Sequence, residues 1–215
     1  TDRLTVALGL YVPNAAGATF GEDAPSRYHI IDAYVISAYL TAAVGWRPLD
    51  WLAVGMGHSL VHIRVQRRAL LYPKVKIGGG QEQDLSGLIG KNAQLELTGS
   101  DWKYVFSLGV QVWPHETLSV GLMMMTRYNV ALTGPLTITP GDGALPAFKE
   151  PEFTDNQHET TIVSPWIFAV GANWDITPWL EIGAELRYYT NSLVDEQVTA
   201  ITNEGVLKEI GRAHV

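Results

Sequence analysis

The stretch YVISAYLTAAVGW, Tyr34 to Trp46, decides the fold. Its even positions read Tyr34, Ile36, Ala38, Leu40, Ala42, Val44 and Trp46, and its odd positions Val35, Ser37, Tyr39, Thr41, Ala43 and Gly45. Side chains alternate faces along a strand but recur every 3.6 residues in a helix, so a period of two with one greasy face is a strand. Length then separates a soluble sandwich from a membrane wall. About twelve steps of 3.3 Å span roughly 40 Å, and a tilt near 45° reduces this to about 28 Å, the height of a bilayer's hydrocarbon layer. Sandwich strands are usually about half as long.

The same split recurs at Leu4, Val6, Leu8, Leu10, at Trp102, Tyr104, Phe106, Leu108, Val110, Val112, and at Leu118, Val120, Leu122, Met124. Two further sets are Trp166, Phe168, Val170, Ala172, Trp174 and Leu180, Ile182, Ala184, Leu186, Tyr188, with Glu181, Glu185 and Arg187 on the face opposite the last. An internal repeat connects these segments. AVGWRPLDWLAVG (Ala43 to Gly55), SLGVQVWPHETLSVG (Ser107 to Gly121) and AVGANWDITPWLEIG (Ala169 to Gly183) share one plan: alternation, glycine, Trp, a short Pro-containing turn, then alternation again. Each is predicted to be a tight hairpin. Trp46, Trp51, Trp113, Trp174 and Trp179 flank the turns, where amphipathic indoles would mark a membrane interface, core packing being the plainer reading.

Between the hairpins lie Pro13 to Arg27, Arg67 to Asn92 and Gly134 to Glu159, rich in Gly, Pro and charge and expected to be loops. Short turns on one side and long loops on the other are the asymmetry of a bacterial outer-membrane barrel. About seven strands are predicted: 3–12, 28–47, 51–66, 93–113, 117–133, 160–174 and 179–190. An odd set with open edges closes poorly, so residues 1–208 are expected to be part of an all-β, antiparallel transmembrane barrel, beginning at a cut N-terminus. Residues 209–215 back-translate to a common sequencing-library adapter and are expected to be a non-native tail, a genuine polar tail being the alternative.

Composition narrows the classes. The 215 residues carry 22 acidic and 15 basic side chains, net −7, which argues against nucleic acid as a partner. Apolar residues make up 47% and charged ones 17%, yet no run of 18 apolar residues occurs, so no helical span can be placed. The absence of cysteine removes disulfides, thiolate metal sites and Cys nucleophiles.

Few residues suggest chemistry. His58 and His62 share a strand face four apart, which is not the helical spacing with which two His hold a zinc, so no metal and no cofactor is expected. Parity points His58 at lipid near the bilayer centre, where a polar tip is costly unless a bulge at Gly55 or Gly57 turns it inward. Ser37, Tyr39, Gln111, Arg127, Asn129, Glu181, Glu185 and Arg187 are expected to share the lumen face. Paired carboxylates there fit a salt-bridge network better than acid–base catalysis, and no catalytic motif appears, so no enzyme is expected. Arg64, Arg67, Arg68, Lys74 and Lys76 place a third of all basic residues in thirteen positions at the outer end of one hairpin. They could meet lipopolysaccharide phosphates or attract fatty carboxylates to the mouth, or form an ordinary solvated loop.

The glycine-punctuated strand leading to Val12-Pro13, the Arg27-Tyr28 pair, DWLAVGMG (Asp50 to Gly57) and LELTGSDWKYVFSLGV (Leu95 to Val110) together resemble the outer-membrane long-chain fatty-acid and aromatic-hydrocarbon transporters of the FadL/TodX type. The resemblance covers about residues 3 to 200. It implies about seven strands of a fourteen-stranded, hatch-plugged barrel that passes hydrophobic molecules by diffusion in the outer membrane of a Gram-negative bacterium, as a monomer among lipid and lipopolysaccharide. It also implies a kinked strand with a side exit at Gly9, Pro13, Asn14 and Gly17. Pro13 lacks the N–H a ladder needs, although it could equally end a strand. A general porin and a structural barrel without transport are the alternatives, and the scarcity of charge on the odd face weighs against the porin.

Overall fold

The computed structural model describes residues 3–72, 74–77, 81–84, 86–191 and 199–201. In chain order the strands are β1 (Leu4–Thr19), β2 (Asp32–Leu49), β3 (Leu52–Leu70), β4 (Lys74–Ile77), β5 (Gln81–Asp84), β6 (Gln94–His115), β7 (Leu118–Met125), β8 (Tyr128–Thr139), β9 (Asp155–Ser164), β10 (Ile167–Thr177), β11 (Leu180–Tyr189) and β12 (Thr199–Ile201). Helix α1 (Ser86–Ile89), a 3-10 turn at Pro146–Lys149 and helix α2 (Pro151–Thr154) lie in the long connections. No helix among the described residues is long and apolar enough to cross a membrane.

The wall is an antiparallel meander. β1, β2, β3 and β6 pair in that order; β6 continues onto β7 near the turns and β8 near the loops. β7 and β8 are therefore the two halves of one wall strand. So are β10 and β9, which pair with β7 and β8, and beside them run β11 and β12. The count is the seven that alternation predicts, and the sheet curls into half a barrel. Curling brings the Tyr39 hydroxyl of β2 within 3.0 Å of the Tyr128 hydroxyl of β8, across two intervening strands.

Strands reach further into the expected loops than hydropathy shows. β1 runs to Thr19, β3 to Leu70, β8 to Thr139, and β9 already starts at Asp155. Above the lipid both faces of a strand meet water or loops, so Thr, Gln, Glu and Arg replace the apolar face and the period of two fades although the ladder continues.

Away from the hairpin turns, three one-residue insertions among the described residues reset which face is inside. On β1, Tyr11 faces Tyr39 and Asn14 faces Ser37, three steps against two. Along β6, Ser107 faces Met125 and Ser100 faces Thr133, seven steps against eight. β9 and β10 carry a matching insertion at Pro165-Trp166, since Met125 faces Ile167 and Tyr128 faces Ser164. A bulge puts two consecutive residues on one face and flips everything beyond it. Odd residues therefore point inward on β7 and β10, and even ones on β8 and β9.

That flip builds a core. Tyr39, Val61, Ile63, Val105, Val130 and Leu132 are buried against one another on the concave side of the loop half, flanked by Val35, Val65, Met125, Tyr128 and Ile162. Fully burying each aliphatic side chain is worth about 1.5–3 kcal/mol. His158, also buried, is held at 3.0 Å from the Thr98 carbonyl through Nε2.

A second cluster, Ile89, Ala93, Leu136 and Ile138 with Leu88, Leu95 and Phe148, packs the loop end under α1 and the 3-10 turn. Its backbone is clasped by Lys91 N–H to Asp142 O and Asp142 N–H to Lys91 O, both 3.0 Å. Gly141 sits so close that a Cβ would lie 1.8 Å from the Lys91 carbonyl, and Gly90 opposite it has φ +83°. Gly141→Ala is expected to cost about 1–3 kcal/mol. Faster proteolytic nicking of residues 140–145, with the barrel's melting little changed, would show that this loss is local.

Candidate functional site

The six glycines of the internal repeat meet in space. Gly45 stands opposite Gly55, Gly55 opposite Gly109, Gly121 opposite Gly171, and Gly183 opposite Asn173. All lie on the inward face of the turn half, forming a belt from β2 to β11. A Cβ added at Gly45 or Gly121 would meet nothing within 4 Å, and one at Gly109 would meet its nearest atom at 3.7 Å. The missing side chains leave a hollow of about 700 Å³ whose polar lining is Gln111, Ser119, Asn173 and Glu185. Above it stands the dry cluster around Tyr39. The concave side is thus a small-residue hollow below and an apolar plug above.

The predicted lumen residues divide. Ser37 and Tyr39 are buried and inward, Tyr39 stacked on Tyr11 at 5.5 Å. Gln111 and Glu185 line the hollow. Glu185 pairs with Arg187 along the same strand, and Glu181 accepts a bond from the Asn173 amide. Arg127 and Asn129 do not belong with them. The insertion before Tyr128 turns that side chain inward to Tyr39 and leaves Arg127 and Asn129 exposed on the outward face. Parity counted along one unbroken strand placed them wrongly.

The side-exit segment is strand, not strand end. Val12-Pro13 is the β1 bulge, pairing resumes at Asn14, and Gly17 follows in the ladder opposite Tyr34. A Cβ on Gly9 would meet nothing, whereas one on Gly17 would lie 3.1 Å from the Tyr34 Cβ. The basic residues of β3 do not form one patch either. Arg68 is paired with Asp32 at 2.7 Å, and Arg67 donates to the His29 carbonyl at 2.7 Å. Arg64 is exposed and outward, and Lys74 and Lys76 stand opposite Asp84 and Glu82 in the β4–β5 hairpin. Strand alternation sends neighbouring basic residues to opposite faces.

His58 keeps its outward orientation. The β2–β3 and β3–β6 registers run unbroken through Gly55 and Gly57, so no bulge turns it. Its ring instead stacks on Phe106 at 4.5 Å and Tyr104 at 5.3 Å, while His62 packs on Trp102 at 4.4 Å. At the turns Trp46, Trp51, Trp174 and Trp179 are exposed, whereas Trp113 lies under the Arg47 guanidinium at 4.8 Å.

Sequence reading missed Asp101 and Lys103. They form an ion pair of 2.8 Å on the inward face, and Asp101 also accepts the Ala131 N–H at 2.8 Å and the Trp102 N–H at 2.7 Å. Their odd parity within the aromatic run Trp102, Tyr104, Phe106 was the available signal. Among the described residues no three His, Asp or Glu side chains converge as a metal site.

The family model for outer membrane protein transport proteins (OMPP1/FadL/TodX) matches residues 1–210. The chain belongs to that family. It is accordingly an outer-membrane protein of the Gram-negative type, in a family of transporters rather than enzymes. Short turns then face the periplasm and the loops the exterior.

Solved structures agree on the fold. A Pseudomonas aeruginosa FadL homologue is 15% identical with a TM-score of 0.81, covering 100% of this chain and 50% of its own. The Ralstonia pickettii toluene transporter TbuX is 12% identical with a TM-score of 0.72, over 94% of this chain and 56% of its own. A TodX deltaS2S3 mutant monoaromatic hydrocarbon channel is 15% identical with a TM-score of 0.68, over 94% and 54%. The chain thus spans about half the length of the structures it matches. No curated protein sequence matches it.

Proposed function

We propose that the protein containing this chain admits hydrophobic compounds, long-chain fatty acids or aromatic hydrocarbons, by passive diffusion through the barrel. The observation that carries this reading is the glycine-belted hollow below an apolar cluster. Such a lumen offers shape and dispersion contacts to an apolar molecule and few fixed charges to a polar one. Two of the similar structures are described as a toluene transporter and a monoaromatic hydrocarbon channel, which fits the same solute class. On this reading the protein works as a monomer, with Ser37, Tyr39, Gln111, Glu181, Glu185 and Arg187 along the path and the bulge at Pro13 as the way out to the membrane. Arg64, the outward member of the basic group, meets lipopolysaccharide phosphate at the outer rim.

A porin would need opposed acidic and basic ladders across the lumen. Among the described residues the inward ion pairs, Asp101–Lys103 and Glu185–Arg187, each lie within a single strand.

Gly121→Trp is the direct test. Because open space lies where the side chain would go, assembly should be unaffected while the hollow is filled. Uptake of labelled fatty acid or toluene should fall about tenfold relative to equal amounts of the parent protein. Unchanged uptake would remove the hollow from the path, and parent uptake no better than in cells lacking the gene would favour a structural barrel.

A further inference from the structure

The wall has a second discontinuity, far from β1. β6 pairs with β7 up to Ser107–Met125 and with β8 at Ser100–Thr133 and again from Leu97–Leu136 to Gln94–Thr139, but residues 101–105 form no ladder with residues 127–132. On either side the sheet is intact: β3 follows β6 from Gln94 to Val112, and β9 follows β8 from Tyr128 to Thr137. One backbone bond, Thr126 N–H to the Phe106 carbonyl at 2.9 Å, and two side-chain bonds close the slit. At its lower end the Phe106 N–H donates to Thr126 Oγ1 at 3.0 Å instead of to a carbonyl, and at its upper end Asp101 takes the Ala131 N–H. Parting the strands here breaks these few bonds and not a full ladder.

The two sides of the slit have distinct chemistry. Behind it lie Val105, Val130 and Leu132 of the dry cluster, with the inward ion pair Asp101–Lys103 above them. In front, one lip is Trp102, Tyr104 and Phe106, between 49% and 65% exposed, and the other is Arg127 with Asn129. Arg127 has no ion-pair or hydrogen-bond partner among the described residues. Nine steps above Leu118, it stands roughly 20 Å above the turns, in the outer part of an apolar band about 25 Å tall. A lipid-facing guanidinium there costs less than at the midplane, reaches toward the interface, and gains most from an anionic partner.

We propose that this slit is a binding site on the membrane side of the wall for an acyl-chain amphiphile with an anionic headgroup. The chain lies along the aromatic lip toward the apolar cluster, and the headgroup pairs with Arg127. The proposal rests on the reading of the protein as a carrier of hydrophobic solutes and adds a place where such a solute, or an acidic membrane lipid, is held.

The test uses the full-length protein in outer-membrane vesicles, photolabelled with a diazirine-bearing long-chain fatty acid or with the matching fatty alcohol. Adducts of the acid are expected on the peptide containing Trp102 to Phe106. Arg127→Gln should reduce them at least fivefold while leaving alcohol labelling unchanged, and Arg127→Lys should stay within twofold of the parent. The denaturation midpoint of Arg127→Gln should not fall, which separates lost binding from lost folding. Lipid A retained through purification by the parent and lost from Arg127→Gln would support the site with a membrane lipid as its source; loss of acid labelling alone would support it with the solute. Equal labelling by acid and alcohol, or adducts only elsewhere, would overturn the proposal. Failure of the transport reading shows separately, as fatty-acid uptake no better than in cells lacking the gene.

Discussion

Leu108→Arg is expected to lower barrel stability by about 2–4 kcal/mol, because it sets a charge against lipid in the middle of the wall. Leu108 lies on β6 between β3 and β7, outward and 49% exposed, with Met56 and Met124 as its register neighbours. Gln111, three residues further on the same strand, faces the hollow. Gln111→Arg should therefore cost far less, since the new guanidinium stays in a wet interior near Glu185. A denaturant titration of the folded protein in vesicles or detergent, read by the heat-dependent shift in gel mobility, gives both numbers. Equal losses would mean that the faces are assigned wrongly. Outward arginine also bears on Arg127, which stands nearer the outer edge of the apolar band, where the cost is smaller.

Deleting Pro13 should cut uptake of a hydrophobic solute roughly tenfold if the β1 bulge is the side exit. The bulge consists of one extra residue, so Pro13→Val returns an N–H to the ladder but leaves three steps on β1 against two on β2. Removing Pro13 lets Val12 face Ala38 and keeps the present pairing of Asn14 with Ser37, without inverting either side of the strand. The wall is then continuous, and assembly should be as good or better. Uptake of labelled fatty acid by cells with matched protein levels decides it. A large loss for the deletion with little change for Pro13→Val would place the exit in the extra residue itself, whereas no loss for either would exclude an exit at β1.

Much of the fold was legible because barrel strands announce themselves locally. Tyr34 to Trp46 shows its two faces without reference to any partner, and the three repeats place their turns where β2–β3, β6–β7 and β10–β11 join. Legibility failed at Arg127 and Asn129. Their apparent parity was inherited from Leu118 to Met124, and nothing in Met125-Thr126-Arg127-Tyr128 declares that one residue is surplus. It is surplus only relative to β6, which offers seven steps against eight. The loop boundaries failed for another reason: above the lipid, pairing persists through Thr137–Asp155 after the hydrophobic contrast has gone.

Strand class, the order and turns of the hairpins, and the lipid face within each uninterrupted run are local properties, because they follow from a period of two and from turn chemistry within a few residues. Three features arise only when the strands pack into the wall. Packing aligns Gly45, Gly55, Gly109, Gly121, Gly171 and Gly183 into a belt, buries Val130 and Leu132 instead of their odd neighbours, and leaves β6 and β8 unpaired over residues 101–105. Each of these is a relation of register between strands far apart in the chain. A register is fixed by the partner's count of residues and not by the strand's own, so it comes into being only when the strands are laid side by side.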